Sequence, residues 1–400
     1  MAETSHSPGQ AFDVVVVGAG MAGLAAALGF ARAGLSAVCV GRLERSAPGR
    51  TVAVHGQSLD ILENLGVLAE VETNAAPMRV MRLVDDTGSL FAPRPVDFRA
   101  SEVGLDVFGW NIENGELASI LAKALGPEHF IEADVSGFEF GAGAARLALS
   151  DGRALEAALV VGADGRGSPS RKAANIDSTV SGFGQSALTL CLRHSRPHDD
   201  ASTEFHTREG PFTLVPLPPT PEAPNRSSLV WLMRDDSAAR LRALSDRELA
   251  EEIRGRSHAM LGEIEIEGGR GGFPMTIQRV AGLTGPRLAL IGDAAHSFPP
   301  IGAQGLNLGL RDGAEIVAQA AQARDEGRDI GGEATLAAYA AARRPDIAMR
   351  TAGVGALNRS LLTSFWPVDF VRGAGLATLA ALPPLRRAAI REGLKPFLAR

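Results

Sequence analysis

The sequence predicts an α/β fold with three features: a parallel sheet built from separate segments, an inserted antiparallel sheet, and a helical C-terminal segment. Three apolar runs, in residues 13–17, 159–162 and 287–291, are each followed at once by a glycine-containing turn. Continuous apolar runs are typical of parallel strands buried on both faces. Open α/β sheets bind ligands beyond the carboxyl ends of their strands, so we expect these three turns to meet at one edge.

The predicted domains are discontinuous. A Rossmann-like domain is expected from residues 10–75, 105–180 and 280–345. A substrate-binding β-sheet domain is expected from residues 76–104 and 181–279, because the middle of the chain becomes rich in proline and in short β-prone pieces. Residues 346–400 form the helical C-terminal segment.

Composition indicates a soluble protein of a reducing compartment. The chain is 45% hydrophobic and 22% charged, and its net charge of -6 argues against a nucleic-acid partner. Cys39 and Cys191 are far apart, so no structural disulfide is expected. Residues 1–10 lack a signal-peptide pattern, and residues 12–40 contain five glycines, which disfavours a spanning helix. We therefore expect a cytoplasmic protein.

The first glycine-rich turn predicts dinucleotide binding. Gly18 permits a tight turn, Gly20 lets a pyrophosphate approach the backbone, and Gly23 lets the following helix pack on the strand. A second strand is expected over residues 36–40. The surrounding strand, helix and strand make this motif much more specific than its glycines alone.

The end of the second strand lacks the acid that usually binds the adenosine ribose. Gly41 occupies that position, and Arg42 follows it. Glu44 is either a substitute ligand or a solvated surface charge. The identity of the ribose ligand is left open.

The third turn predicts the cofactor. Gly292 turns the chain without a Cβ, and Asp293 is left at the carboxyl end of its strand. A helix is expected from about Gly305, with its positive end directed back toward the same crevice. An acid beside a helix N-terminus suits ribityl hydroxyls joined to an electron-accepting ring, which indicates FAD.

The middle motifs carry alternatives. Asp164 and Gly165 form either a simple β-turn or a third wall of the dinucleotide site. Arg50 either reaches the flavin or a phosphate, or is a surface loop arginine. His194 and His198 have a spacing that suits a metal, but no cysteine or carboxylate cluster accompanies them, so no metal site is expected.

The C-terminal segment combines apolar and basic residues. Leucines between residues 357 and 385 precede Arg386, Arg387 and Arg391. This pattern is typical of peripheral contact with a membrane surface or with a partner. The alternative is a helical cap packed on the FAD domain.

The three motifs together resemble the FAD-dependent aromatic monooxygenases of the para-hydroxybenzoate hydroxylase fold. Within that fold the chain is most similar to the ubiquinone-biosynthesis hydroxylases. The similarity spans nearly the whole chain and is weakest over residues 180–280. Its supporting segments are residues 50–53, 111–114, 299–312, 339–346, 357–362 and 383–387. Many members carry arginine where Gly115 stands, which is a departure from the family.

The resemblance implies a role for each motif. The ADP half of FAD would be held by the first glycines and Arg42, and Asp293 would bind the ribityl chain. Asp164 and Gly165 would contact FAD and assist NAD(P)H. The backbone facing the flavin ring would be that of Gly302, Gly305, Leu306 and Asn307. The loop with Pro299 and Pro300 would exclude water.

The resemblance also implies a reaction. NAD(P)H would reduce FAD, and O2 would then give a flavin C4a-hydroperoxide that hydroxylates the phenolic ring of a polyprenylated ubiquinone precursor. His296 is a candidate base by position only, and a structural hydrogen bond is its alternative role. The competing functions are hydroxylation of a soluble aromatic compound, another FAD reaction such as polyprenyl reduction, and a FAD-binding accessory role in quinone biosynthesis.

Overall fold

The computed structural model describes residues 10–43, 49–88, 94–297, 304–362, 375, 378–379 and 381–394. The strands are β1 (Gln10–Val17), β2 (Ala37–Val40), β3 (Thr51–His55), β4 (Ala76–Met78), β5 (Val80–Asp85), β6 (Val96–Arg99), β7 (Gly109–Glu113), β8 (Phe130–Ile131), β9 (Val135–Phe140), β10 (Ala145–Leu149), β11 (Ala154–Gly162), β12 (Ser178–His194), β13 (Ala201–Thr207), β14 (Gly210–Leu217), β15 (Arg226–Arg234), β16 (Ile264–Val280), β17 (Thr284–Gly285), β18 (Leu288–Leu290) and β19 (His296–Ser297). The helices are α1 (Met21–Arg32), α2 (Gln57–Asn64), α3 (Leu68–Thr73), α4 (Asn114–Leu125), α5 (Pro169–Ala173), α6 (Asp235–Ala243), α7 (Asp246–Arg256), α8 (Gln304–Asp325), α9 (Glu333–Leu362) and α10 (Pro383–Leu394).

The first sheet contains the three predicted segments side by side. Its strand order is β17-β18-β11-β1-β2-β8, and β9 and β10 extend it from β11. Strands β18, β11, β1, β2 and β8 are parallel neighbours. The valines of β1 and β11 are buried, as expected for parallel strands covered on both faces.

The second sheet has the order β19-β16-β12-β15-β14-β13-β5-β6 and is antiparallel except where β13 pairs with β5. One face, represented by Leu188 and Leu190, packs under α6 and α7. The other face, represented by Ala187, packs against Leu308 of α8 and Ile347 of α9. A small third sheet, β3-β7-β4, is the remaining sheet of the described residues. The predicted α/β fold with an inserted sheet and a helical C-terminal part is confirmed.

Helix α8 lies unusually close to α1 because glycine and alanine form their contact. A Cβ placed on Gly309 would lie 3.2 Å from the Cβ of Ala22, and one on Gly313 would lie 3.3 Å from the Cβ of Ala26. Helix α9 is held on the first sheet by Tyr339, whose hydroxyl donates to the carbonyl of Leu290 at 2.6 Å. These contacts bring the start of α8 to the carboxyl edge of the first sheet.

Helix α10 packs on residues 98–108, a segment that begins in β6 of the second sheet. Ile390 is buried with Ala100 and Phe108, and Arg386 donates to Glu102 at 2.8 Å. Leu382 and Leu385 stay about half exposed, at 47% and 49%. In the part of the chain that the structure describes, no helix is both long and apolar enough to cross a membrane.

The close α1–α8 contact predicts a stability cost for a larger residue at position 309. Gly309→Val is expected to lower the free energy of unfolding by about 1–3 kcal/mol, because overpacking must push the helices apart. Chemical denaturation measures this change.

The matched control is Ala318→Val, which places the same side chain at an exposed position of α8. Equal stability of the two variants would show that the helices do not need this close approach.

Candidate cofactor and active site

The three predicted turns meet at the carboxyl edge of the first sheet. Val17 pairs with Gly162, and Gly162 pairs with Leu290, so the three strands end at the same level. Gly18 adopts φ +114°, and a Cβ on it would lie 2.3 Å from the carbonyl oxygen of Ala163. A Cβ on Gly292 would lie 3.5 Å from the Cβ of Ala22. The site is therefore built from backbone segments in direct contact.

The first motif separates a packing glycine from a ligand-facing glycine. A Cβ on Gly23 would lie 2.0 Å from the carbonyl oxygen of Gly18, so this position must be glycine for the fold. A Cβ on Gly20 would meet no heavy atom within 4 Å. Gly20 is also the N-cap of α1, which has no side-chain cap and no acid in its first turn. An open, uncapped helix N-terminus fits the pyrophosphate of a dinucleotide.

Gly41 is required by packing, which explains the missing acid. A Cβ on Gly41 would lie 2.6 Å from the backbone nitrogen of Ala19, inside the first glycine turn. The neighbouring Arg42 is exposed and forms an ion pair with Asp134 at 2.9 Å. Arg42 therefore lies at the rim of the expected ADP site. The alternative ribose ligand Glu44 lies outside the described residues.

Asp164 organises the turn that carries Gly165. Its carboxylate accepts hydrogen bonds from the Ser168 hydroxyl at 2.5 Å and from the Ser170 backbone nitrogen at 2.8 Å. Gly165 adopts φ +78°, and a Cβ on it would meet no heavy atom within 4 Å. Open space at Gly165 fits a cofactor or co-substrate beside this turn, and a contact of Asp164 with FAD stays a prediction.

Arg171 links two of the turns and was not predicted. Its guanidinium donates to the carbonyl oxygens of Arg166 and Ala294, both at 2.8 Å, and the residue is only 3% exposed. Burial lowers its pKa, because the charged form is separated from water. The only sequence signal is a basic residue at N3 of the short helix α5, a position that is usually solvated.

The turn at Gly292 is held by a buried carboxylate from α8. Asp312 is fully buried and accepts hydrogen bonds from the Gly292 backbone nitrogen at 3.0 Å and the Arg343 guanidinium at 2.7 Å. Its carboxylate also contacts His296 Nε2 at 2.6 Å. Burial opposes ionisation of Asp312, but His296 and Arg343 outweigh it and lower the pKa. Asp293 remains exposed on this fixed turn, where a ribityl hydroxyl can reach it.

The structure gives His296 a structural partner, and its role as a base stays a prediction. The ring is 3% exposed and lies against Asp312 rather than in open space. Pro299, Pro300 and Gly302 lie outside the described residues.

The start of α8 faces the site with little side-chain bulk. A Cβ on Gly305 would meet no heavy atom within 4 Å, whereas Leu306 packs on the main core. Asn307 is 2% exposed: its amide donates to the carbonyl of Ala53 at 2.8 Å and accepts from the backbone nitrogen of His55 at 3.2 Å. The Asn307 side chain therefore anchors α8 on β3.

Arg50 lies between the small sheet and the second sheet. Its guanidinium carbon is 5.4 Å from the centre of the Phe273 ring, a cation–π contact. The adjacent Thr51 hydroxyl donates to Ser228 on β15 at 2.9 Å. Phe273 and Val230 are half-buried on the same face of the sheet as Ala187. This face supplies an apolar wall on the α8 side, beside the guanidinium of Arg50.

His194 and His198, whose spacing could suit a metal, both have protein partners. His194 bonds to the Arg196 carbonyl and to Ser227, and His198 lies beside Asp200. Among the described residues, no group of three metal-ligating side chains is found.

Comparison with known proteins shows the class of the chain. Residues 11–352 match the FAD binding domain family. The chain is 32% identical over 392 residues to ubiquinone hydroxylase UbiL of Rhodospirillum rubrum, a match covering 96% of this chain and 89% of the relative. It is 29% identical over 400 residues to 3-demethoxyubiquinol 3-hydroxylase of Escherichia coli, covering 96% and 99%. The crystal structure of p-nitrophenol 4-monooxygenase PnpA from Pseudomonas putida DLL-E4 superposes with a TM-score of 0.78 at 18% identity, covering 96% and 98%.

The fold and the site together define a FAD-binding flavoprotein, with FAD as cofactor and NAD(P)H as reductant. The chain belongs to the FAD binding domain family and, within it, to the FAD-dependent aromatic monooxygenases related to the ubiquinone-biosynthesis hydroxylases.

The open space at Gly20 predicts a variant that loses the cofactor but keeps the fold. Gly20→Ala is expected to leave the stability of the apoprotein unchanged and to weaken FAD binding at least tenfold, about 1.4 kcal/mol. The added methyl group would project into the open space expected to hold the pyrophosphate and would meet no protein atom within 4 Å. Fluorescence titration with FAD and thermal unfolding of the apoprotein measure the two effects.

The control is Gly143→Ala, which also adds a Cβ in open space but lies in a distant turn. Unaltered FAD affinity in Gly20→Ala would contradict a pyrophosphate site at Gly20.

At Gly41, in contrast to Gly20, we expect a substitution to lower the stability of the apoprotein. Restoring the usual acid with Gly41→Glu is expected to destabilise the apoprotein by about 1–3 kcal/mol, because its Cβ overlaps the backbone at Ala19. Thermal unfolding without FAD tests this directly. A Gly41→Glu protein that is as stable as the parent and binds FAD more tightly would refute the packing explanation.

Proposed function

We propose that the protein hydroxylates the phenolic ring of a polyprenylated ubiquinone precursor, with NAD(P)H and O2 as co-substrates. The observation that carries this proposal is the meeting of three glycine turns beside the apolar wall of the second sheet. The nearly full-length similarity to proteins named as ubiquinone hydroxylases supports the choice of substrate.

Bound FAD supplies the redox chemistry, and the residues of this chain position it. Gly20 and the N-terminus of α1 would accept the pyrophosphate. Asp293 would bind ribityl hydroxyls, and the turn that carries it is fixed by Asp312. The positive end of α8, at Gly305, would stabilise negative charge on the bound cofactor.

The apolar wall excludes water and positions the phenol. Phe273 offers apolar ring surface to a substrate ring. The guanidinium of Arg50 lies over one face of the Phe273 ring, and its charge favours an electron-rich phenolic oxygen nearby. Neither residue transfers a proton in this account.

Helix α10 supplies a surface for the prenyl tail of the substrate or for the membrane that contains it. Exposed Leu382 and Leu385 stand beside exposed Arg387 and Arg391. Apolar side chains beside basic ones favour peripheral contact with an anionic membrane. The same face would also suit a partner in a quinone-biosynthesis complex.

Hydroxylation of a soluble aromatic compound is the second candidate. This candidate is supported by the structural similarity to p-nitrophenol 4-monooxygenase, whose name gives a phenol as substrate. Analysis of the quinone lipids distinguishes the two candidate substrates.

Loss of the protein is expected to leave quinone lipids short of one oxygen. A strain lacking it should accumulate a polyprenyl phenol one oxygen short of the next intermediate and should lose ubiquinone, as measured by mass spectrometry of extracted lipids. Asp293→Ala should fail to restore ubiquinone. Asp325→Ala should restore it, because Asp325 is an exposed acid at the far end of α8.

Unchanged ubiquinone with no accumulated intermediate would contradict the substrate assignment. Soluble phenols would then be screened for NAD(P)H oxidation matched to product.

A further inference from the structure

Five charged side chains form a buried charge cluster between α8 and α9. Its members are Arg311, Asp312, Arg343, Asp346 and Arg350, and each side chain is at most 10% exposed. Ion pairs connect them: Arg343 bonds to both carboxylates at 2.7 and 3.0 Å, and Arg350 bonds to Asp346 at 2.9 Å. Three guanidinium groups against two carboxylates leave one positive charge in excess.

Arg311 is the member with the least compensation. Its Nε lies 3.4 Å from Asp346 Oδ2, without hydrogen-bond geometry. Neither Nε nor Nη2 of Arg311 has a hydrogen-bond partner within the described chain. Burial and the nearby Arg350 lower the pKa of Arg311 to about 10, so the guanidinium still carries its charge at neutral pH. A buried charge that is only partly compensated is costly to a fold and calls for a function.

The cluster touches both parts of the expected flavin site. At one end Asp312 holds the Gly292 backbone nitrogen, next to Asp293. At the other end Arg350 donates to the side chain of Gln304, the first residue of α8. The excess charge therefore lies behind the turn and the helix start that are expected to surround the isoalloxazine ring.

We propose that the buried charge cluster stabilises the negative charge that the FAD ring gains on reduction, and that Arg311 supplies the excess positive charge. Reduction adds two electrons and one proton to the ring, which leaves an anion. The oxidised ring is neutral. The cluster therefore strengthens binding of reduced FAD selectively and raises the reduction potential. The proposal rests on FAD occupying the site and does not depend on which phenol is hydroxylated.

The midpoint potential of the FAD-loaded protein tests this proposal. Arg311→Met removes the charge and keeps much of the side-chain volume. It is expected to weaken binding of reduced FAD relative to oxidised FAD by about tenfold, which lowers the potential of the two-electron couple by about 30 mV. Arg311→Lys keeps the charge and should keep the potential. Arg344→Met removes an exposed charge from α9, the other helix of the cluster, and is the matched control, with no expected shift.

A potential in Arg311→Met equal to that of the parent would overturn the proposal. Equal weakening of oxidised and reduced FAD would do the same, because it would show a structural role only. If Arg311→Met does not retain FAD, Asp346→Asn gives the test with the opposite sign. Asp346→Asn should raise the midpoint potential, and an unchanged potential would contradict the proposed role of the cluster. Failure of the substrate assignment would instead appear as unchanged quinone lipids with the potential shift intact.

Discussion

The glycine turn after β1 lies against the backbone of Ala163, and no Cβ fits between them. This contact fixes the distance between two parallel strands at their carboxyl ends. The rest of the site is arranged around it: β18 pairs with β11, so its turn at Gly292 arrives at the same edge. The N-termini of α1 and α8 can then approach a common ligand, because small residues line the contact between these two helices.

Buried polar contacts also fix the relative positions of the turns, in addition to the close packing of glycines. Arg171 ties the turn after β11 to the turn after β18, and Asp312 ties the latter to α8 and α9. Such charges are stable in the interior only when their partners are in place. The contacts therefore make the relative position of the turns depend on the folded state of α9, a helix outside the glycine motifs.

The features that depend on local sequence patterns could be predicted from the sequence. The strand, turn and helix at residues 13–32 and the turn at Gly292 follow from apolar runs and from glycine positions, and both are present. The missing acid at Gly41 was visible in the sequence, but its cause was not, because Ala19 is brought against it only by the fold. Arg171 and Asp312 were missed for the same reason: their partners lie 123 and 31 residues away at the farthest. The resemblance placed the backbone of Asn307 at the flavin, which stays a prediction, and nothing in the sequence indicated that its side chain bonds to Ala53 and His55 of β3.

Hydrogen–deuterium exchange with and without FAD tests most directly whether the three turns form one cofactor site. The account predicts that FAD slows exchange together in residues 18–24, 163–168, 292–297 and 304–310, because a single bound molecule contacts or fixes all four segments. Protection confined to residues 18–24, with no change at the other segments, would contradict it.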